Sequence, residues 1–307
     1  MHQQQVDKGR LEHRALRRSV WGNLFFAALG FGFAASSASE AILLDGFFSL
    51  VAFVLSLLTI RVAKLVQGPA DDWFHFGYAA FEPMLNTVKG LLLLGICGIS
   101  LLSAIKALLS GGRDLNPGWA LVYAVIAASG AGLLAVWQKR AAKITGSPLL
   151  EVDVENWKID SLLSVGVGVA FLAAFLLRGS EWAQFLPYVD PVLVLILVAI
   201  MIKDPVRIVG EGVGELLAIS PDKSVQEQVR DEFARLVEDY PVQSFNLRML
   251  KAGRTYYLLA HVVVEAESPI GTIHELDEAR REITRGLKKL HPPWEVDIVF
   301  VGDSSLA

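Results

Sequence analysis

Six runs of apolar residues, separated by short polar connections, leave this chain few ways to fold. In hydrocarbon every backbone N–H and C=O must find a partner within its own segment, so such runs cross a bilayer as helices. The first run covers about residues 19–35 and follows a basic leader, residues 1–18, that carries Lys8, Arg10, Arg14, Arg17 and Arg18. The second, about 40–60, ends in Arg61 and Lys64, and the third covers about 84–109. The fourth, about 119–136, stops at Gln138, Lys139, Arg140 and Lys143. The fifth covers about 152–177, and the sixth starts near Pro191 and continues past Lys203 and Arg207 as an emerging helix. A composition that is 53% hydrophobic, with mean hydropathy +0.45, is too apolar for an ordinary soluble domain. Residues 19–210 are therefore predicted to form an all-α membrane domain, a six-helix bundle.

Charge decides the expected orientation. Lys and Arg flank the leader, the connection between the second and third runs, the connection between the fourth and fifth, and the end of the sixth. The opposite connections hold Arg113, Arg178 and little else, with Lys106 near a helix end. The positive-inside rule then puts both termini in the cytoplasm, in what is expected to be a bacterial inner (plasma) membrane. The basic residues sit beside apolar runs, so no nucleic-acid face is evident. The net charge of -4 is too small to indicate a partner. Cys97 is the single cysteine and lies in an apolar run, which excludes a disulfide framework and a thiolate-rich metal site within the chain. The leader is polar for too long to be a typical cleaved signal peptide.

Residues 211–307 change character, clearly so from about Ser220. Val225, Val229, Phe233, Leu236 and Val237 follow helical spacing after Ser220-Pro221-Asp222. Phe245, Leu247 and Met249 alternate with polar neighbours, and two strands are predicted around a Lys251-Ala252-Gly253 turn. A second helix over about 272–290 and a strand from Trp294 to Val301 complete the order helix–strand–strand–helix–strand. That order describes a cytoplasmic α+β module of ferredoxin-like type.

The stretch Glu151 to Ser164, EVDVENWKIDSLLS, carries the most informative chemistry. Asp160 lies inside the fifth apolar run, with Asn156 one turn before it and Ser164 one turn after on the same face. Asp45 lies inside the second run, with Ser49 one turn later. An ionisable residue at membrane depth costs several kcal/mol, so two of them on two helices point to a cation path rather than to packing. The donors are all oxygens if Asn156 binds through its carbonyl, and oxygen-only sites suit hard or borderline cations such as Mn²⁺, Mg²⁺ and Fe²⁺. The serines have a second reading, because small hydroxyl residues in membrane helices often serve close packing.

At these residues the sequence resembles a known family. LLDGFFSL, then GPADDWFHFGYAAFEP, then DVENWKIDSLLS, followed by a sixth span and a ferredoxin-like tail, is similar to the cation diffusion facilitators. The resemblance covers about residues 19–301. It implies a homodimeric six-helix exporter that exchanges divalent metal ions for protons, with no cofactor beyond the transported ion. It also implies a transport site of two residues from the second helix and two from the fifth. Those positions are Asp45 and Ser49 with Asn156 and Asp160, or, one turn earlier on the second helix, Ala41 and Asp45. Zinc-transporting members usually carry His or Asp at all four positions, with His at the first fifth-helix position. Ser49 and Asn156 depart from that pattern, so a tetrahedral zinc site is disfavoured. Mn, Fe or Mg is the expected cargo, with Ser49 or water completing the shell or the ion staying partly hydrated. Two carboxylates sharing one site without metal do not both stay charged cheaply, so the arriving ion is expected to displace a proton.

Weaker candidates lie elsewhere. Asp71, Asp72 and His75 fall in the connection where some family members hold a second metal, though His75 is one place out of register and a solvated acidic loop is the simpler reading. Asp153 and Glu155 could draw cations to the cytoplasmic mouth, or serve only as acids favoured at a helix start. Lys158 points to another face and can snorkel. In the tail, His261, His274 and His291 resemble histidines used by some members for regulatory metal, with Glu275, Asp277 and Glu278 near His274. The rival reading is a non-transporting membrane sensor or scaffold with a dimerising cytoplasmic module. An intramembrane enzyme would need a nucleophile–base pair or metal-binding histidines in the spans, and none of the six histidines falls there.

Overall fold

The computed structural model describes residues 2–306 except 67, 69, 76, 115, 146, 147, 254, 265–271 and 291–293, and only the backbone of 2–10, 12, 13, 148, 149 and 152. His291 and Pro292-Pro293 therefore lie outside the described residues. Among the described residues, six helices are long and apolar enough to cross a membrane, followed by an α+β region. In order they are α1 (His2–Ser37), α2 (Glu40–Val66), α3 (Phe81–Leu109), α4 (Pro117–Thr145), α5 (Pro148–Leu177) and α6 (Leu186–Met201), the last running into α7 (Lys203–Leu216). Then come α8 (Lys223–Leu236), β1 (Val242–Ala252), β2 (Thr255–Val264), α9 (Ile273–Leu287) and β3 (Trp294–Val301). The chain divides into two compact units, Met1–Ile60 with Lys89–Arg207, and Arg61–Val88 with Ile208–Ala307.

In the first unit, close packing follows from small residues. Ala120, Ala124, Ala127, Ala131 and Ala135 recur at helical spacing on α4 and are all buried. They present a smooth seam on which α1 and α5 pack, as lipid-embedded helices require when apolar burial alone gives no drive to associate. Phe26, Trp157 and Phe171 fill the space beside that seam. α1 and α2 cross at glycines: a Cβ on Gly30 would meet the Cα of Gly46 at 2.6 Å. Gly46 directly follows Asp45, so this crossing fixes where Asp45 leaves its helix.

The sequence places the basic leader apart from the first span, whereas α1 is continuous through both. It also starts the sixth span near Pro191, whereas α6 begins at Leu186 and takes Pro191 into its second turn. Pro191 has no N–H, which leaves the Pro187 carbonyl without its helical partner. The Arg113 N–H takes that carbonyl at 2.7 Å. The approach needs Gly112, at φ +93°, where a Cβ would stand 2.4 Å from that of Pro187.

The same corner ties down the start of α2. Ser39 caps the helix, its Oγ accepting from the Ile42 N–H at 3.3 Å and donating to Asp190 Oδ1 at 2.5 Å. The Asp190 carboxylate also accepts the Glu40 N–H at 2.9 Å and the Ala41 N–H at 3.3 Å. Arg113 reaches Glu40 Oε2 at 2.6 Å and Asp190 Oδ2 at 3.4 Å, and its other guanidinium nitrogen donates to Ser103 at 3.0 Å. Asp190 is 0% exposed. A buried carboxylate is tolerable only when donors surround it, and here a residue of α6 supplies the acceptor that the α2 amides lack.

In the second unit a sheet of order β1-β2-β3 pairs β1 with β2 antiparallel and β2 with β3 parallel. α8 and α9 cover it through Val229, Phe233, Ile283 and Leu287, against Leu258, Ala260, Val262, Trp294 and Ile298. The helix–strand–strand–helix–strand order expected from the sequence is present, and Phe245, Leu247 and Met249 pack on that core. Gly253 turns the hairpin at φ +58°, and its N–H and Lys251 Nζ both bond Glu215 at 2.8 Å. α9 opens with a reciprocal capping box between Thr272 and Glu275.

Asp190→Ala strips the acceptor from α2 while leaving Arg113 in place. Arg113 keeps Glu40 as its partner, so the expected loss is that of buried amides left without an acceptor, about 1–3 kcal/mol. It is measured as a lowered thermal midpoint of the detergent-purified protein, and an unchanged midpoint would show that the corner contributes nothing.

Candidate functional site

Asp45 projects from α2 into a small cavity lined by Ala41, Ile42, Leu44, Tyr123, Ala124, Leu163, Ser164, Val167, Leu197 and Met201. It is half-buried, and the Tyr123 hydroxyl of α4 donates a hydrogen bond to its Oδ2. Ser164 of α5 is 8% exposed and lines the same cavity. Asp160, one turn earlier on α5, is open to its surroundings, yet Asp45 and Asp160 lie within Coulombic reach of each other and of Tyr123. Leu163, Ser164 and Val167 bring α5 to the Asp45 cavity, while Asp160 itself stands outside its lining.

The other two sequence candidates stand differently. Ser49 is half-buried one turn beyond Asp45 and makes no side-chain hydrogen bond among the described residues. Asn156 is exposed one turn before Asp160 and lines a groove with Lys139, Lys143, Glu151, Glu155 and Lys158. Lys158 pairs with Glu155 at 2.5 Å, on a face apart from Asp160. Asp153 turns toward α1 and α4, within 3.4 Å of Gln138 Nε2, while Trp157 Nε1 donates to Ser19 Oγ at 2.7 Å. That cluster ties α1, α4 and α5 together below the aspartates.

Tyr123 is the residue that sequence reasoning missed. It is 2% exposed, and a buried phenol needs a partner for its hydroxyl. The signal was there, since Tyr123 interrupts the alanine seam of α4. What it could not reveal was which helix would supply the acceptor.

In the 2–3 connection, Asp71 serves its own loop. Its Oδ1 accepts the Trp73 and Phe74 N–H groups at 2.9 and 2.8 Å, and Tyr78 donates to its Oδ2 at 2.5 Å. His75 Nε2 lies 3.2 Å from the Asp72 carbonyl oxygen. Tyr78, followed by the two amides, holds the Asp71 carboxyl below the usual carboxylate range. In the second unit His261 sits mid-strand on β2, opposite Asn246 and Val299, with its Nδ1 buried and without a hydrogen-bond partner among the described residues. His274 lies exposed on α9, 3.4 Å from Glu278. Among the described residues, no group of three His, Cys, Asp or Glu is placed to hold a metal ion. Asp45 and Asp160 are a pair and so fall outside that pattern.

Residues 16–217 match the family model described as the cation efflux transmembrane domain. The chain belongs to the cation diffusion facilitator family. It is 23% identical over 240 residues to the cation-efflux pump FieF of Shigella boydii serotype 18, covering 77% of this chain and 76% of that one. It is 23% identical to FieF of Shewanella oneidensis over 249 residues, 80% of this chain and 79% of the relative. The FieF of Escherichia fergusonii is 24% identical over 240 residues, with 77% and 76% covered.

Asp71 yields a test of the loop. A carboxyl whose folded value is depressed stabilises the loop fully above its unfolded pKa, near 4, and loses that contribution as pH falls through the folded value. Tyr78→Phe is expected to move the Asp71 titration upward, read by carbon NMR of the carboxyl; an unmoved midpoint would exclude the phenol as its cause.

Proposed function

We propose that this protein exports a divalent cation across the membrane in exchange for protons, with the transport site formed by Asp45, Ser49, Asn156 and Asp160 and with Ser164 as a weaker donor. The observation that supports this reading is that Asp45 of α2 and Ser164 of α5 line one cavity, with Asp160, a second acid one turn before Ser164, within Coulombic reach of Asp45. Family membership and the printed function of the FieF relatives as cation-efflux pumps support it. Charges at membrane depth are retained where an ion or proton passes.

The donor set favours Mn, Fe or Mg over Zn. Two carboxylates, an amide and hydroxyls offer neutral or hard oxygens, and zinc draws most of its affinity from imidazole and thiolate, which this site lacks. A hard ion also tolerates water in its shell, which suits a site with one exposed flank. Exchange follows from charge balance: an ion carrying two positive charges neutralises the two aspartates, and protons neutralise them on the return. The protein acts as a homodimer in the inner membrane with both termini cytoplasmic, and as a carrier rather than an enzyme. His261 and His274 are at most regulatory contacts of the second unit, and Asp71, Asp72 and His75 at most a second loop site.

In proteoliposomes, Asp45→Asn and Asp160→Asn are each expected to abolish metal uptake, read with an ion-sensitive dye inside the vesicle. Undiminished uptake by either variant would remove that residue from the site. Asn156→His is expected to shift the preference toward Zn²⁺ over Mn²⁺ by supplying the missing imidazole, and an unchanged ratio would count against Asn156 as a ligand. During wild-type uptake the vesicle lumen should turn alkaline as protons leave; metal influx with no pH change would rule out exchange.

A further inference from the structure

We propose that Tyr123 is a positioning residue for the cargo ion: its phenol holds one oxygen of Asp45 and so presents the other, making the transport site a product of three helices, α2, α4 and α5. The inference rests on Asp45 being a ligand, and adds to that reading a residue from a helix that the four-position pattern does not include.

The geometry carries the argument in three steps. Tyr123 donates to Asp45 Oδ2, and among the described residues Oδ1 accepts no hydrogen bond, which leaves that oxygen for an ion. The ring that carries this hydroxyl is held in place: Phe33 of α1 packs against it with ring centroids 5.7 Å apart, and Phe33 is backed by Trp119 at 6.1 Å. A tyrosine has only two side-chain torsions, so a ring fixed in this way places its oxygen at little entropic cost. Finally, its neighbours on the buried face of α4, Ala120, Ala124 and Ala127, carry no polar atoms beyond the backbone. The phenol is the one side-chain oxygen that this part of α4 offers to the cavity.

The chemistry fits a hard divalent cation. A phenol is neutral near pH 7, so it steadies Asp45 without adding a third negative charge to those of the two aspartates. Hydrogen-bonded partners behind a metal ligand set its orientation and typically change affinity by about 10–100-fold. Ser49 makes no comparable contact with Asp45, so the outer-shell oxygen that acts on Asp45 comes from α4.

The test uses the full-length protein in proteoliposomes, with Mn²⁺ or Zn²⁺ as probe, whichever the wild type takes up. Tyr123→Phe keeps the ring and its packing but removes the donor. The expected result is a KM raised about 10–100-fold with Vmax within about twofold of wild type, since the ion is bound less well but still carried. A KM within about twofold of wild type overturns the proposal, and so does a fall in Vmax at constant KM, the mark of a structural role. Should Tyr123→Phe fail to fold, Phe33→Leu leaves the phenol in place but loosens its ring; KM should then rise in the same direction, and an unchanged KM overturns the proposal. Asp45→Asn is measured alongside. If it retains wild-type transport, the site reading itself fails; if it is inactive while Tyr123→Phe keeps the wild-type KM, only the role of Tyr123 fails.

Discussion

A carboxylate inside a membrane domain must be answered by donors from its surroundings, and the arrangement of this chain turns on two such groups. Asp190 answers the unpaired amides at the start of α2 and is answered in turn by Ser39 and Arg113. The bonds bring α6, the start of α2, Ser103 of α3 and the connection before α4 to one point. Asp45 stands five residues after Glu40, about 7.5 Å along the helix. The depth and direction of that second carboxylate therefore follow from how the first one is held.

Packing supplies the remaining constraint. Gly30 and Gly46 let α1 and α2 touch backbone to backbone, and the alanines of α4 let α1 and α5 close around it. Where the alanine seam is interrupted by Tyr123, a polar oxygen enters an apolar wall. The only economical partner for such an oxygen is another polar group within reach, and Asp45 is that group. A smooth seam interrupted at Tyr123 makes a defined site there rather than a diffuse polar patch.

Much of this was legible from residues alone. Run lengths gave the six spans and the order of elements in the tail, because hydrocarbon thickness and the helical and strand periods are local properties. The aspartates announced themselves because a charge in an apolar run is costly and points to function before packing. Element ends were less legible. α6 starts five residues before Pro191 because a remote N–H, that of Arg113, takes the carbonyl that the proline leaves open. Asp71, whose simpler reading was a solvated acidic loop, accepts three bonds from within that loop. Asp190 and Arg113 drew no notice as a pair, being separated by 77 positions in the chain.

The sequence by itself determined that this is a membrane chain of six spans with a small α+β tail, and that Asp45 and Asp160 lie within the spans. Each of those facts depends only on neighbouring residues. The tertiary structure decided which side chains meet: Tyr123 with Asp45, Asp190 with the start of α2, Ser164 with the aspartate cavity. Such meetings depend on how helices cross, and a crossing is set by the smallest residues on both partners at once. No single segment carries that information.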